Sequence, residues 1–322
     1  MSAQIDPQGR LRHLLTLEGL SRPVLEHLLD RAQALVEHAH GGSALRGVLA
    51  GKAVCTLFFE PSTRTRSSFQ LAATRLGADT LNFDASTSSA KKGEGDADTL
   101  RTLEAMGVHA FVVRHPVDGA VAALAEAARA GTAVVNAGDG RHAHPTQGLL
   151  DMLTLRQAKG ADFSRLKVLV VGDVKHSRVA RNACRSERAL GCGEIRVCGP
   201  WSLLPEPQVL EGCTVTTDID AALEGVDAVM TLRLQRERMD SGLVSSLEDY
   251  HRDYGLTTPR LRQAAADAVV MHPGPMNRGV EIADDVADGP RSLVLRQVAN
   301  GVAVRMAVLY LLAGGVNHEE AA

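Results

Sequence analysis

Residues 62–66 of this chain, Ser-Thr-Arg-Thr-Arg, follow an apolar segment with the composition of a buried strand, and Pro61 separates the two. A helical pattern begins within the cluster. The first turn of a helix offers unpaired backbone N–H groups and the positive end of the helix dipole, which favour a bound phosphate. Hydroxyl and guanidinium groups add further donors. The cluster predicts an oxyanion site, although a capping serine or threonine followed by solvated arginines has the same composition.

Further polar groups follow other apolar segments. Arg114, in Arg-His-Pro, directly follows a strand-like run, and its alternative interpretation is a surface ion-pair arginine. His144 ends a glycine-rich loop before a Pro-Thr helix start, and Gln147 lies on the first turn of that helix. These two side chains are placed to donate hydrogen bonds to a carbonyl oxygen, although His144 could instead cap the helix. Two more arginines and a glutamine suit the carboxylates of a small acid: Arg178, Arg233 and Gln235.

The loop of residues 84–96 is rich in serine, glycine and charged residues, as mobile loops are. As a linker it would carry no chemistry. As a lid it would bring the Ser88 hydroxyl and the Lys92 ammonium onto an anionic ligand and exclude water.

Alternating apolar runs and helical patterns predict parallel βα units. The first helical pattern covers residues 22–38, and the last covers residues 292–312. Eight strands are predicted: Ala53–Phe59, Thr80–Phe83, Ala110–Val113, Ala133–Asn136, Lys167–Val171, Ile195–Cys198, Ala228–Leu232 and Ala268–Met271. The polar groups lie just beyond the carboxyl ends of these strands, where parallel α/β proteins bind ligands.

Two architectures fit this pattern, a closed (βα)8 barrel and two doubly wound α/β domains facing each other across a cleft. The second is favoured because the helical pattern 148–159 could join two halves and a new strand-Gly-Asp-helix unit opens at Val168. We expect a first domain of residues 1–146, completed by a helix at about 297–322, and a second domain of residues 147–296.

Composition excludes several classes of function. The chain has 322 residues, a formal net charge of −3 and 3% aromatic residues, so it lacks the basic field and stacking platforms of a nucleic-acid-binding protein. It has no P-loop, no GxGxxG and no recognisable metal-ligand spacing, so neither a metal nor a cofactor is expected. Five cysteines without CxxC spacing predict reduced thiols. With no signal pattern and no apolar run near the ~20 residues that span a bilayer, we expect a cytoplasmic protein without a membrane segment.

Three motifs together resemble the aspartate/ornithine carbamoyltransferase family over essentially the whole chain: Ser-Thr-Arg-Thr-Arg at 62–66, Arg-His-Pro at 114–116 and His-Pro-Thr-Gln at 144–147. Within the family, Lys-Lys-Gly-Glu at 91–94, the segment 229–235 and His-Pro-Gly-Pro at 272–275 resemble the aspartate-specific branch. The resemblance implies carbamoyl transfer from carbamoyl phosphate to aspartate, in pyrimidine biosynthesis.

The resemblance also implies roles for individual residues. Carbamoyl phosphate would be held by Ser62, Thr63, Arg64, Thr65, Arg114, His144, Gln147, Gly274 and Pro275. Aspartate would be held by Lys92, Arg178, Arg233 and Gln235. The catalytic residues would be Arg64, Thr65, Arg114, His144 and Lys92. Ser88 and Lys92 would come from the adjacent chain of a homotrimer, which regulatory or dihydroorotase-like chains could join.

Alternatives at this point are another amino-acid carbamoyltransferase, ornithine above all, and a non-catalytic phosphate or amino-acid binding module. Ornithine brings a cationic side chain that needs acidic partners, whereas the second carboxylate of aspartate needs a guanidinium such as Arg233. Two departures from the best-known bacterial pattern are Val179, where a threonine is frequent, and a longer loop at 276–279.

Overall fold

Two all-parallel β-sheets form the framework of the protein, one in each of two units. The structure is a computed structural model and describes residues 4–6, 8–42, 45–84, 95–235 and 246–314. Unit 1 comprises Met1–Leu149 and Ala299–Ala322, and unit 2 comprises Leu150–Val298.

The sheet of unit 1 has the strand order β2-β1-β3-β4. Its strands are β1 (Ala53–Phe58), β2 (Asp79–Asp84), β3 (Val108–His115) and β4 (Ala133–Asp139). Its helices are α1 (Arg22–Ala34), α2 (Thr63–Arg75), α3 (Asp96–Ala105), α4 (Ala120–Ala127) and the start of α5 (Pro145–Lys159). Strands β1, β3 and β4 are buried along almost their whole length and are mostly apolar, as expected for a parallel sheet covered by helices.

The outer side of β4 is covered by the N-terminal segment around His13. The Leu14 N–H group donates to the Val134 carbonyl at 3.0 Å, and the Asn136 N–H group donates to the Leu14 carbonyl at 2.8 Å. The His13 Nδ1 atom accepts the Val134 N–H group at 3.0 Å. This segment therefore satisfies backbone groups that an edge strand would leave exposed.

The sheet of unit 2 has the strand order β7-β6-β5-β8-β9. Its strands are β5 (Lys167–Val171), β6 (Glu194–Cys198), β7 (Thr214–Thr216), β8 (Ala228–Thr231) and β9 (Val269–Met271). Its helices are α6 (Arg178–Ala189), α7 (Ile219–Leu223), α8 (Leu247–Tyr254), α9 (Thr258–Leu261) and α10 (Asp284–Ala287). Buried aliphatic residues of β5, β8 and β9 pack against those of α7 and α9 to form one core.

The last helix, α11 (Val294–Ala313), is 20 residues long and reaches a mean hydropathy of 1.2, so length and composition alone would allow it to span a membrane. Arg296, Gln297, Asn300 and Arg305 interrupt this helix, so it contains no continuous apolar run of about 20 residues. Two thirds of its apolar window (67%) is buried inside the protein, as in the core helix of a globular domain. Its buried Arg305 donates to the Gly301 carbonyl and lies over the Phe69 ring, at 5.1 Å from the centroid.

The prediction of two doubly wound α/β domains is confirmed, and the barrel alternative is wrong because the strands form two separate open sheets. All eight predicted strands are present with small shifts of their ends. A further described strand, β7, escaped prediction because two of its three residues are threonines and none is fully buried, whereas the equally short β9 is the apolar run Val-Val-Met.

The buried imidazole of His13 predicts a pH dependence of stability. Its side chain is 0% exposed, and burial, with a contribution from Arg12, lowers its pKa to about 4. Because the pKa of an unfolded histidine is about 6.5, the unfolded state binds an extra proton between these two values. The stability from neutral His13 is complete above pH 6.5 and is lost as the pH falls towards about 4. Urea midpoints between pH 7.5 and 4.5 should show a weaker decline for His13→Gln than for the unsubstituted protein.

The exposed His40 provides the matched control. His40→Gln should leave the pH dependence of the urea midpoint unchanged. An equal effect of the two substitutions would remove His13 as the source of the decline.

Candidate active site

The predicted oxyanion cluster lies where the strand order of unit 1 reverses. From β1 the chain goes to β2 on one side, and then crosses to β3 on the other. At such a reversal, the connections after the two central strands lie on opposite faces and leave a crevice at their carboxyl ends. The cluster follows β1 and Arg114 ends β3, and Phe58 pairs with Arg114 in the register of the two strands. Two distant sequence segments thus meet at one point.

The start of α2 presents the features that an anion requires. The helix begins at Thr63 with Ser62 in extended backbone conformation, and the Ser62 side chain makes no capping hydrogen bond. The interpretation of this serine as a helix cap is therefore not supported. Arg64 is exposed and Thr65 is buried, while the Arg66 guanidinium lies over the Phe58 ring at 5.0 Å.

Arg114 is nearly buried, at 8% exposure, and is fixed by two partners. Its Nη1 atom donates to the Ala137 carbonyl at 3.1 Å, and its Nη2 atom donates to Glu60 Oε1 at 3.0 Å. The sequence pattern did not single out Glu60. Its position between a buried strand and a cluster of cationic and hydroxyl groups is the signal that could have found it. The Glu60 carboxylate holds the guanidinium at the crevice and competes with any anion for the same donor.

The neighbouring His115 connects this region to α3. Its Nδ1 atom accepts the Val117 N–H group at 3.0 Å, so its Nε2 atom carries the proton of the neutral ring and faces Asp96 Oδ2 at 3.2 Å. Asp96 is the first residue of α3. His115 thus holds the start of α3 against the end of β3.

A buried carboxylate organises the loop that carries His144. Asp139 is 1% exposed, and its Oδ1 atom accepts the Asn136 amide at 2.9 Å and the Ala143 N–H group at 3.0 Å. Its Oδ2 atom accepts the Gly119 N–H group at 3.0 Å and lies 3.3 Å from His142 Nδ1. Burial would raise the pKa of Asp139, but the hydrogen bonds from His142 and Asn136 outweigh it and lower the pKa.

This loop places His144 directly before α5 and Gln147 in the first turn of that helix. Both side chains are nearly buried, at 5% and 8% exposure, and the His144 carbonyl accepts the Gln147 N–H group at 3.0 Å. An imidazole and an amide at the N-terminus of a helix can stabilise a developing oxyanion.

The predicted carboxylate-binding residues Arg178, Arg233 and Gln235 follow the two strands at which the strand order of unit 2 reverses, β5 and β8. Arg178 is the first residue of α6, after β5, and is 6% exposed. Arg233 and Gln235 follow β8. The sheet therefore brings together the ends of the two segments that carry these side chains.

Asp173 joins these two segments and, like His176, was not singled out as a site residue. Its Oδ1 atom accepts hydrogen bonds from the His176 N–H group at 3.2 Å and lies 2.8 Å from His176 Nδ1. Its Oδ2 atom accepts the Gln235 N–H group at 3.3 Å. A fully buried carboxylate thus holds the turn after β5 against the segment after β8.

The segment after β9 carries Gly274 and Pro275, joined by a cis peptide bond. The fully buried His272 precedes it and accepts the Gly274 N–H group on Nδ1 at 2.7 Å. The opposite nitrogen, Nε2, donates to Glu281 Oε1 at 3.1 Å, and the same oxygen accepts the Asn277 N–H group at 2.6 Å. Behind them, Gln297 accepts the His272 N–H group at 2.9 Å and donates to Asp151 at 2.7 Å. The remaining predicted residues, Ser88 and Lys92, lie outside the described residues.

Comparison with known proteins gives each unit a counterpart. Residues 12–157 match the family model described as aspartate/ornithine carbamoyltransferase, carbamoyl-P binding domain, and residues 164–312 match the Asp/Orn binding domain of the same family. The chain belongs to the aspartate/ornithine carbamoyltransferase family. The resemblance noted from its motifs is therefore confirmed.

Individual family members support the aspartate branch. The aspartate carbamoyltransferase catalytic subunit of Stenotrophomonas maltophilia is 72% identical over 97% of this chain and 99% of its own length. The corresponding subunit of Xanthomonas campestris is 71% identical over 97% of this chain and 99% of its own length.

Solved structures of both branches share the fold. Aspartate transcarbamoylase of Trypanosoma cruzi, in complex with carbamoyl phosphate and aspartate, aligns with a TM-score of 0.82 at 32% identity, over 94% of this chain and 96% of its own. Ornithine carbamoyltransferase of Thermus thermophilus also gives 0.82, at 28% identity, over 94% and 99%. The fold alone thus does not distinguish the two branches of the family.

The hydrogen bonds of Glu281 generate a testable prediction. Glu281→Leu removes the acceptor of two donors, the buried His272 ring N–H and the partly buried Asn277 N–H. A buried donor left without a partner costs about 1–3 kcal/mol. Glu281→Gln keeps an amide oxygen for both donors. Urea unfolding should therefore show a large loss of stability for the leucine variant and a small one for the glutamine variant. Equal losses would contradict the assigned role of the Oε1 atom.

Proposed function

We propose that this chain transfers the carbamoyl group from carbamoyl phosphate to the amine of L-aspartate, giving N-carbamoyl-L-aspartate and phosphate in de novo pyrimidine biosynthesis. One observation carries the proposal. The oxyanion cluster and the arginine pair each lie at the strand-order reversal of the unit whose family counterpart binds the matching substrate. The names of relatives at 71–72% identity support the same activity.

The charges of unit 2 favour aspartate over ornithine. Arg178 and Arg233 follow the two central strands, and two guanidiniums suit two carboxylates. A cationic side chain would need an acidic partner there. The buried carboxylate of Asp173 is already engaged by His176 and by the Gln235 N–H group. Arg178 and Arg233 bind the α- and β-carboxylates in this proposal, and Gln235 supports the second.

The phosphate of carbamoyl phosphate binds at the start of α2. Its oxygens accept hydrogen bonds from the hydroxyl and N–H groups of the first turn, while guanidiniums neutralise the charge that grows on the leaving phosphate. The residues with this role are Ser62, Thr63, Arg64, Thr65 and Arg114. The Nη2 atom of Arg114 must exchange its bond to Glu60 for a phosphate oxygen, or share it.

Attack of the amine on the carbamoyl carbon places negative charge on the carbonyl oxygen. His144 donates to this oxygen, and Gln147 with the carbonyl groups of Gly274 and Pro275 orients the carbamoyl NH2 group. Loss of one such donor typically lowers the rate on the order of a hundredfold or more. The amine loses a proton during the reaction, and the departing phosphate is a candidate acceptor.

We further propose that the working unit is a cytoplasmic homotrimer in which Ser88 and Lys92 complete the site of the adjacent chain. Two exposed apolar side chains of unit 1 support association, because Leu81 on the edge strand β2 is 39% exposed and Leu71 on α2 is 47% exposed. The relatives are named catalytic subunits, which supports a larger assembly with regulatory or dihydroorotase-like chains.

Two substitutions test the assignment of the two substrates. Arg64→Ala removes a donor to the leaving phosphate and should lower kcat on the order of a hundredfold or more. Arg233→Ala removes a carboxylate partner and should mainly raise the aspartate KM, on the order of tenfold to a hundredfold. Steady-state kinetics with each substrate varied at saturating levels of the other separates these effects.

Exposed arginines provide the matched controls, Arg22→Ala for unit 1 and Arg252→Ala for unit 2. Both should keep the original kinetics. Near-normal kinetics of Arg64→Ala and Arg233→Ala would contradict the site. Faster turnover of ornithine than of aspartate would contradict the substrate, and no phosphate release with either amino acid would leave a binding module as the better description.

Shared active sites predict complementation between inactive chains. A trimer that contains both Lys92→Ala and Arg64→Ala chains has sites at which the unchanged Lys92 of one chain meets the unchanged Arg64 of another. Differently tagged chains, co-expressed and purified through both tags, should therefore regain activity relative to either parent trimer. Activity no higher than that of the parents would argue against sharing.

A further inference from the structure

Two of the five cysteines contact each other in unit 2. Cys184 lies in α6, and Cys213 lies in the turn that precedes β7. A side-chain hydrogen bond joins their sulfur atoms. The two segments also pack together, because α6 contacts the short 3-10 helix Pro207–Leu210 just before this turn. Both thiols are free in the structure.

The two thiols differ in exposure and in charge environment. Cys184 is 2% exposed, whereas Cys213 is partly exposed. The hydrogen bond between the two thiols lowers the pKa of Cys213 and, together with burial, raises that of Cys184 well above its ordinary value. The Arg188 guanidinium also lowers the pKa of Cys213. This guanidinium lies beside the turn that carries Cys213, because a Cβ atom added to Gly212 would lie 2.8 Å from Arg188 Nη1.

The other three cysteines lack this environment. Burial is the main cause that raises the pKa of each of them to about 12. They are Cys55, Cys192 and Cys198. At neutral pH a thiolate is therefore favoured at Cys213 over these positions, and a thiolate is the form of cysteine that attacks a disulfide.

We propose that Cys213 and Cys184 form a reactive thiol pair, which exchanges with low-molecular-weight disulfides and closes into a disulfide within unit 2. Cys213 is the attacking thiol, because it is reachable from solvent and its thiolate is stabilised by Cys184 and Arg188. Cys184 is the resolving thiol, because it is buried against the sulfur that it must attack. A partly exposed attacking thiol beside a buried resolving thiol is the arrangement that thiol exchange requires.

The reaction balances as two exchanges with a disulfide RS–SR. In the first, the Cys213 thiolate attacks one sulfur, the S–S bond breaks, and RS⁻ leaves and takes up the proton that Cys213 has lost. In the second, the Cys184 sulfur attacks Cys213 Sγ, the mixed disulfide breaks, and the second RS⁻ leaves with the Cys184 proton. Two protein thiols are oxidised to one disulfide, and RS–SR is reduced to two RSH.

A buried carboxyl beside the pair affects the second step. Glu187 lies one helical turn after Cys184 and is 3% exposed, and burial raises its pKa well above the ordinary value. Glu187 is also one of the groups that raise the pKa of Cys184. Attack by a thiol with a raised pKa is slow, so the mixed disulfide at Cys213 accumulates before the internal disulfide forms.

The experiment treats the reduced full-length protein, freed of reductant, with oxidised glutathione and follows intact mass and peptide maps. The unsubstituted protein should pass through one glutathionyl adduct at Cys213 to a product that has lost two hydrogen atoms and has a peptide linking Cys184 to Cys213. Dithiothreitol should reverse the change. The Cys184→Ser variant should stop at a stable glutathione adduct on Cys213. If the buried serine hydroxyl prevents folding, Cys184→Ala replaces this variant and should give the same stable adduct.

Cys213→Ser should slow the first adduct on the order of tenfold or more. The matched control is Cys192→Ser, because the Cys192 thiol is also partly exposed but its pKa is raised to about 12. This variant should react with oxidised glutathione like the unsubstituted protein. The proposal is overturned if Cys192 takes up glutathione as fast as Cys213, or if no Cys184–Cys213 peptide forms.

Discussion

The geometry of the protein depends on how the chain leaves a parallel sheet where the strand order reverses. In both units, two adjacent central strands send their following segments in opposite directions, which opens a crevice lined by the first residues after each strand. In unit 1 these strands are β1 and β3, whose register places Phe58 opposite Arg114. In unit 2 they are β5 and β8, which lead into the segments of Arg178 and Arg233. Backbone hydrogen bonding thus sets the positions of the binding side chains, and substrate chemistry then depends on which residues occupy them.

Buried carboxylates hold the segments that line these crevices. Asp139, Asp173 and Glu281 are each at most 1% exposed, and each accepts hydrogen bonds from at least one backbone N–H group and lies within hydrogen-bonding distance of a histidine ring nitrogen. Burial of a carboxylate is costly unless several donors compensate it, so each becomes stable only when its loop has the correct shape. The same bonds therefore stabilise the fold and fix the positions of His144, Gln235 and Gly274.

Charge is concentrated locally on a chain that has little net charge. With a formal net charge of −3, no general positive field attracts anions. Arg114 at the end of β3 and Arg178 at the start of α6 instead lie nearly buried, where the lower dielectric strengthens each contact. The bond between Arg114 and Glu60 shows that such a guanidinium keeps a carboxylate partner, which an incoming anion must replace or share.

The sequence by itself determined the α/β class, eight of the nine described strands and the principal candidate residues, because apolar periodicity and helix-start signals are local properties. The apolar segments at β1 and β3 and the Ser-Thr-Arg-Thr-Arg run can be recognised from their own residues, without knowing which segments pack beside them. Only the tertiary structure decided that two open sheets form rather than a barrel, since strand order depends on which distant segments pair. It also revealed Glu60, Asp173, Glu281 and the pairing of Cys184 with Cys213. Isolated acidic residues and cysteines look alike in sequence, and their roles depend on burial and on partners that only the folded chain brings within hydrogen-bonding distance.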